Sequence, residues 1–285
     1  MLQFCCLGPQ RTATSWLHEV VSHHPQACLP RGVKETMFFD RRSQKGLDWY
    51  RWHFDHAQAG QVLGEVAPTY FDSRDACNRL KCVAPDVKLI VLVRNPVERL
   101  FSLYRHHLSK GRIRVTFEEA LDSDPWLISS GRYSVHAAYW ESVFSSGQFL
   151  YILQDDIQCS PQAVVDRFCD FVGIGRFELP DVGYERINSA TAPVSPTVAR
   201  LFSATSTLLR SARMYTVVHC AKRLGLKAAF SGGREVPPMC ERTRSQLMAE
   251  FAPDVRWLEH RLGIDLAGWR SEGRSTIIGP DVSEY

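Results

Sequence analysis

The sequence is short of net charge, of paired cysteine motifs and of long apolar runs, and each shortage removes a class of function. A formal charge of +3 over 285 residues is too small to mark a nucleic-acid surface. The nine cysteines are odd in number, and none are spaced as C-x-x-C. Several of them (Cys5, Cys6, Cys82, Cys169) lie in apolar runs. That usage favours reduced thiols in a cytoplasmic protein over a disulfide framework or a zinc site. No stretch approaches the roughly 18 apolar residues of a membrane span. The first apolar run is short and has no basic residues before it, so a signal peptide is not expected. Internal repeats, low-complexity tracts and clear linkers are also missing. What is left, with 45% hydrophobic and 23% charged residues, is an ordinary globular composition.

The most informative stretch is the first one. An apolar run, Leu2 to Leu7, meets Gly8-Pro9, then Gln10-Arg11-Thr12-Ala13-Thr14-Ser15, then the amphipathic segment opening on Trp16-Leu17. The order is strand, tight loop, helix N-terminus. Such a loop turns backbone N–H groups and the positive end of a helix dipole toward one point, where an anion binds. Thr12, Thr14 and Ser15 add hydroxyls, and Arg11 adds a permanent cation. The spacing invites comparison with the Walker loop G-x-x-x-x-G-K-[ST], since Gly8 and Ser15 hold its outer positions. Its inner Gly is Ala13, however, and its Lys is Thr14. The cation sits three places earlier, at Arg11. The loop therefore suits a phosphate-like group without being a Walker motif; an ordinary βα turn is the competing reading.

Further along, strands and helices alternate. Periodicity predicts a helix over 15–24, stopped by Pro25, and a short extended piece at 27–30. The aromatic stretch 49–54 reads as a helix whose rings pack in the core or line an acceptor pocket. His53 and His56 are spaced too closely for one helical face and are not read as metal ligands. Strands follow at 62–66 and 88–93, separated by a helix over 74–83. The run Leu89-Ile90-Val91-Leu92-Val93 suits a strand buried on both faces of a parallel sheet. Asn95 and Pro96 fit the cap and first turn of a helix running to about Gly111. A helical block begins near Tyr133. A strand at 149–153 and a helix over 161–172 come next. Loop is expected over 184–196, helix over much of 198–224, a lid-like loop at 230–234, and a last helix over 242–262 interrupted at Pro253. The pattern predicts an α/β fold: one domain over 1–285, with a central, mainly parallel sheet flanked by helices, a P-loop-like anion loop and a helical, lid-like part at about 196–270.

In parallel α/β sheets, ligands sit beyond the carboxyl ends of the strands. Two such ends carry groups suited to anions. One is the Arg11 loop. The other is Arg94, with Ser102 two helical turns later. Arg94 can fork onto a phosphate and Ser102 can donate to the same group. A salt bridge for Arg94 and an ordinary helix position for Ser102 are the bland alternatives. Lys110, Arg112 and Arg114 form either a solvated basic face or a patch that meets an acidic substrate.

Taken together, G-P-Q-R-T-A-T-S-W-L, K-E-T-M-F-F-D, G-E-V-A-P-T-Y and K-L-I-V-L-V-R-N-P-V-E-R-L-F-S-L-Y resemble the PAPS-dependent sulfotransferases. The likeness is strongest to the branch of heparan sulfate sulfotransferases and their bacterial relatives, whose ending is similar to the tail 251–269. The resemblance implies a phosphosulfate loop made of Arg11, Thr12, Ala13, Thr14, Ser15 and Trp16. It implies a 3′-phosphate site at Arg94 and Ser102, and a nucleotide contact from Tyr133 in Gly131-Arg132-Tyr133. Glu35 would be the general base, with an ion pair to Lys34 or an arginine as its alternative role. The co-substrate would be PAPS, the product PAP, and no metal is expected. The acceptor would be a glycan or a small metabolite, presented through a hydroxyl or an amine. The chain departs from the family at three places. Arg11 stands where Lys is usual, and an arginine cannot readily give up a proton. Val66 replaces a Lys, and Met37 a His, of glycosaminoglycan members. A phosphate-loop kinase would need a Lys at position 14 and an acidic Mg²⁺ ligand. A catalytically silent PAP-binding protein is the other alternative.

Overall fold

Strand β1 (Phe4–Gly8) lies at the centre of the sheet and delivers the loop. The computed structural model describes residues 1–183, 205 and 236–270, so the loop, helices and lid-like segment expected between 184 and 235 lie, Thr205 apart, outside the described residues. After β1 come α1 (Thr14–Ser22) and β2 (Ala27–Cys28), then α2 (Leu47–Trp52), β3 (Val62–Val66), α3 (Arg74–Val83) and β4 (Lys88–Val93). They are followed by α4 (Pro96–Ser109), α5 (Phe117–Ser123), α6 (Trp126–Ser129) and α7 (Tyr133–Val143). Strand β5 (Phe149–Leu153), α8 (Gln154–Cys159), α9 (Pro161–Val172) and, after residue 235, α10 (Glu241–Leu262) complete the order. The strands run β2-β3-β1-β4-β5, and every pair is parallel. The chain order reverses direction across the sheet at β1 and β4, which makes their carboxyl ends the switch point where ligands bind in such sheets.

Alternation along β4 explains its unbroken apolar run. Leu89, Val91 and Val93 pack with α3, α7 and α10 on one face. Ile90 and Leu92 pack with α1 and α9 on the other. β1 divides in the same way, with Cys5 and Leu7 on the first face and Phe4 and Cys6 on the second. Burial pushes the Cys6 thiol up to about 12, so it is a packing group and not a nucleophile at neutral pH. Cys82, by contrast, is exposed. The aromatic helix is core: Tyr50 and Phe54 are buried, and Tyr50 stacks on Phe38 with ring centroids 4.8 Å apart.

The expected break at Pro253 does not occur; α10 is one continuous helix. Proline costs it one hydrogen bond, and packing on both sides of the proline offsets that loss. Phe251, Val255 and Leu258 are buried, and the buried Asp254 carboxylate accepts from the Ser134 N–H at 2.9 Å, the Ser134 hydroxyl at 2.7 Å and Arg132 at 3.1 Å. Helix α8 and the short α5 and α6 have too few residues to show periodicity in the sequence. The α5 start is nonetheless written in Thr116-x-x-Glu119, which forms a capping box.

Candidate active site

The β1–α1 loop is held in a shape that exposes its own N–H groups. Gly8 has φ +87°, and a Cβ there would lie 2.6 Å from Pro68 Cβ, so only glycine fits. Arg11 and Ala13 are also left-handed, at φ 73° and 68°. Left-handed residues of this kind turn successive N–H groups to one side and form an anion-binding concavity. Thr12 ties the loop to itself: its buried hydroxyl donates to the Pro9 carbonyl at 2.7 Å. The N–H groups of residues 11 to 15 find no acceptor among the described residues. Trp16 is different. Its N–H is taken by the Ala13 carbonyl at 2.9 Å, and its buried indole donates to the Gly183 carbonyl at 2.7 Å. Of the six loop residues, Trp16 thus supports the loop from below and offers no polar group to a ligand.

The second strand end meets the first. Arg94 follows β4, and its guanidinium donates to the Arg11 carbonyl at 3.2 Å. Arg11 Nε in turn donates to Ser102 Oγ at 3.0 Å. Arg11, Arg94 and Ser102 therefore form one wall. Burial lowers the pKa of both arginines, and for Arg11 the neighbouring charges of Arg94 and Arg105 add to it. Three like charges gathered in a partly desolvated place favour an incoming anion. Tyr133 reaches that wall indirectly. It is fully buried, and its hydroxyl accepts from the Arg94 N–H and donates to the Arg94 carbonyl, both at 3.1 Å. It fixes the backbone of Arg94, the residue whose guanidinium stands in that wall.

Arg99, which the sequence reading passed over, ties the same parts together from beneath. It is fully buried, and its guanidinium donates to the Gln10 and Leu127 carbonyls, each at 3.4 Å, and to Ser130 Oγ at 3.3 Å. The available signal was its position on α4, four residues before Leu103 and three after Pro96, on the helix face that is buried. A Cβ on Gly131 would lie 2.4 Å from its Nη2. Gly131→Ala is therefore expected to push Arg99 off the loop, lowering the melting temperature and the affinity for a phosphate ligand together. Thermal scans with and without the ligand check this.

The third component is the segment after β2. Lys34 Nζ donates to Thr14 Oγ1 at 3.0 Å and to Ser15 Oγ at 3.3 Å, and it pairs with Glu35 at 3.6 Å. Lys34 was read only as a partner for Glu35; the clue to more was the missing cation at position 14. Behind the segment stands Glu65 of β3, fully buried, taking the Thr36 N–H at 2.7 Å and the Tyr50 hydroxyl at 2.9 Å. Its signal was a lone acid inside an apolar strand. Two runs of contacts, Arg94–Arg11–Ser102 and Glu35–Lys34–Thr14/Ser15, thus meet on the one loop of residues 11 to 15. The donor set is cations and hydroxyls with one carboxylate at its edge, which fits a polyanionic ligand and one acid–base group.

Comparison with known proteins gives the same grouping. The Sulfotransferase domain model matches residues 3–182, a span holding all five strands and every site residue above. Human heparan sulfate glucosamine 3-O-sulfotransferase 6 is 33% identical over 183 residues, which is 61% of this chain and 53% of that protein. Mouse bifunctional heparan sulfate N-deacetylase/N-sulfotransferase 4 is 26% identical over 291 residues, which is 94% of this chain and 31% of that protein. The chain spans about half the length of the 3-O-sulfotransferases it matches. A sulfotransferase from Alicyclobacillus acidocaldarius shares the fold, with a TM-score of 0.70 and 23% identity over 95% of this chain and 99% of that one. The phosphate-type loop, its arginine wall and the matched domain lead to one grouping: the chain belongs to the sulfotransferase family.

Proposed function

We propose that this chain transfers a sulfuryl group from PAPS to a hydroxyl or amine of an acceptor. The observation that carries this reading is the contact between the two strand ends, with Arg94 bonded to the Arg11 carbonyl. One bisphosphate nucleotide then touches both. In this reading the N–H groups of residues 11 to 15 and the hydroxyls of Thr14 and Ser15 hold the 5′-phosphosulfate, while Arg94 and Ser102 hold the 3′-phosphate. PAPS supplies the sulfuryl group on a phosphosulfate anhydride. Arg11 stabilises the charge that grows on the phosphate side, a role for a fixed cation. Glu35 takes the proton of the acceptor.

The names of the relatives make a glycan the first acceptor class to try. The test is transfer of labelled sulfate from PAPS, in excess EDTA, to a panel of acidic and neutral glycans and small hydroxyl acceptors. Label on any acceptor supports the reading, and phosphate transfer from ATP that chelation stops would replace it with a kinase. For the nucleotide site, Arg94→Ala removes a charged hydrogen bond and is expected to weaken PAP binding by about 1.5–3 kcal/mol. Unchanged affinity in calorimetry would move the 3′-phosphate elsewhere.

A further inference from the structure

Resting on the reading above, we infer that Lys34, and not a residue of the β1–α1 loop, is the proton-bearing cation that takes the leaving phosphate. Thr14 and Ser15 are the first two residues of α1. An ammonium bonded to both of their hydroxyls therefore sits at the positive end of that helix. A cation there is repelled by the helix dipole. It is also largely desolvated, and Arg11 is close enough to oppose it further. Among the described residues its ion pair is with Glu35, at 3.6 Å. Thr14, one of its two partners, holds the loop position where a Walker motif has its lysine. The missing ammonium is thus restored from a different segment, twenty residues later in the chain. An anion entering between Lys34 and the helix relieves all of these repulsions at once.

The chemistry follows from what arginine lacks. Arg11 offers charge but holds its protons too firmly to release one. Lys34 is lowered in pKa, chiefly by burial, with Arg11 adding to it and Glu35 working against it. Lys34 directs an N–H at the phosphate oxygen that bridged phosphorus and sulfur. As that sulfur–oxygen bond breaks, its electron pair stays on the phosphate oxygen, and the ammonium hydrogen bond to it strengthens. The new bond forms between sulfur and the acceptor oxygen or nitrogen, whose proton passes to Glu35. No other co-reactant is required.

The neighbours of Lys34 make its titration separable. Glu35, Cys6, Arg11 and His18 are the charged or titratable groups that act on it or feel it. Burial and the Lys34 charge push His18 down to about 4, and burial pushes Cys6 up to about 12. Arginine stays charged throughout. As pH rises from neutral, Lys34 is the first group of this set to lose its proton, at a pH below the ordinary lysine value.

The experiment is calorimetric titration of the full chain with PAP from neutral pH upward, together with release of PAP from PAPS using water as the acceptor. Wild-type affinity should fall as pH rises. Lys34→Met should weaken PAP binding at neutral pH by about tenfold or more and slow PAP release by about 10²-fold. Lys34→Arg should keep neutral-pH affinity and abolish the alkaline fall. If Lys34→Met loses fold stability in a thermal scan, the pH profile of Lys34→Arg decides alone. An alkaline fall that persists in Lys34→Arg, or wild-type binding by Lys34→Met, overturns the assignment. A wild-type chain that does not bind PAP overturns the nucleotide reading beneath it as well.

Discussion

Glu35→Gln is expected to slow sulfate transfer by about 10²–10⁴-fold, the usual worth of a positioned general base, with PAP affinity nearly unchanged. The expectation rests on where the carboxylate lies. Glu35 is beside Lys34, the residue bonded to the loop hydroxyls, and its side chain keeps 20% of its exposure, so an acceptor can reach it. Its own backbone is fixed on the following side, because the Thr36 N–H is held by Glu65 and the Phe38 N–H by the Tyr70 hydroxyl at 3.0 Å. Glutamine keeps that shape and removes only the proton acceptor. The competing role is an ion pair that steadies Lys34. In that case the glutamine variant would lose PAP affinity, and its rate at saturating PAPS would stay close to wild type. Measuring affinity and saturated rate in the same variant separates the two, and a full saturated rate removes Glu35 as the base.

The fold was legible where a single element carries its own pattern. Strands 62–66, 88–93 and 149–153 and helices 74–83 and 161–172 match the structure at both ends, because branched apolar runs, Pro starts and Gly stops act locally. The contact between Arg11 and Arg94 was anticipated from a general property of parallel sheets, that strand ends share a crevice. Three things were not legible. Pro253 reads locally as a break, but the partners of the adjacent buried Asp254, Arg132 and Ser134 at the start of α7, are far away in sequence. Tyr133 reads as a ligand contact, and its two bonds to the Arg94 backbone do not show in the sequence. Lys34 reads as the partner of its neighbour, since nothing in a linear sequence shows that it reaches back to Thr14. All three depend on long-range contacts, which the alternation of apolar residues does not encode.

Glu65 offers the largest expected effect on stability. Its carboxylate is fully buried and accepts from the Thr36 N–H, the Tyr50 hydroxyl and the Tyr70 hydroxyl, at 2.7, 2.9 and 3.3 Å. Glu65→Ala strands those three donors away from water, at about 1–3 kcal/mol each. The sum is a large part of a typical total stability of about 5–15 kcal/mol. The variant should melt on the order of 10 °C lower or fail to fold. The carboxyl also makes stability depend on pH. Burial pushes its pKa up, against the pull of the bonds from Thr36, Tyr50 and Tyr70, from the ordinary 4.5 to about 7. A group whose pKa is higher folded than unfolded takes up a proton on folding, so its contribution is complete below about 4.5 and is lost as pH rises through about 7. The wild-type melting temperature should therefore decline across neutrality. Glu65→Gln keeps the side chain's size and cannot titrate, so its melting temperature should change less over the same interval. A wild-type melting curve that rises across neutrality, or one parallel to that of the glutamine variant, would show that the proton is not bound at Glu65.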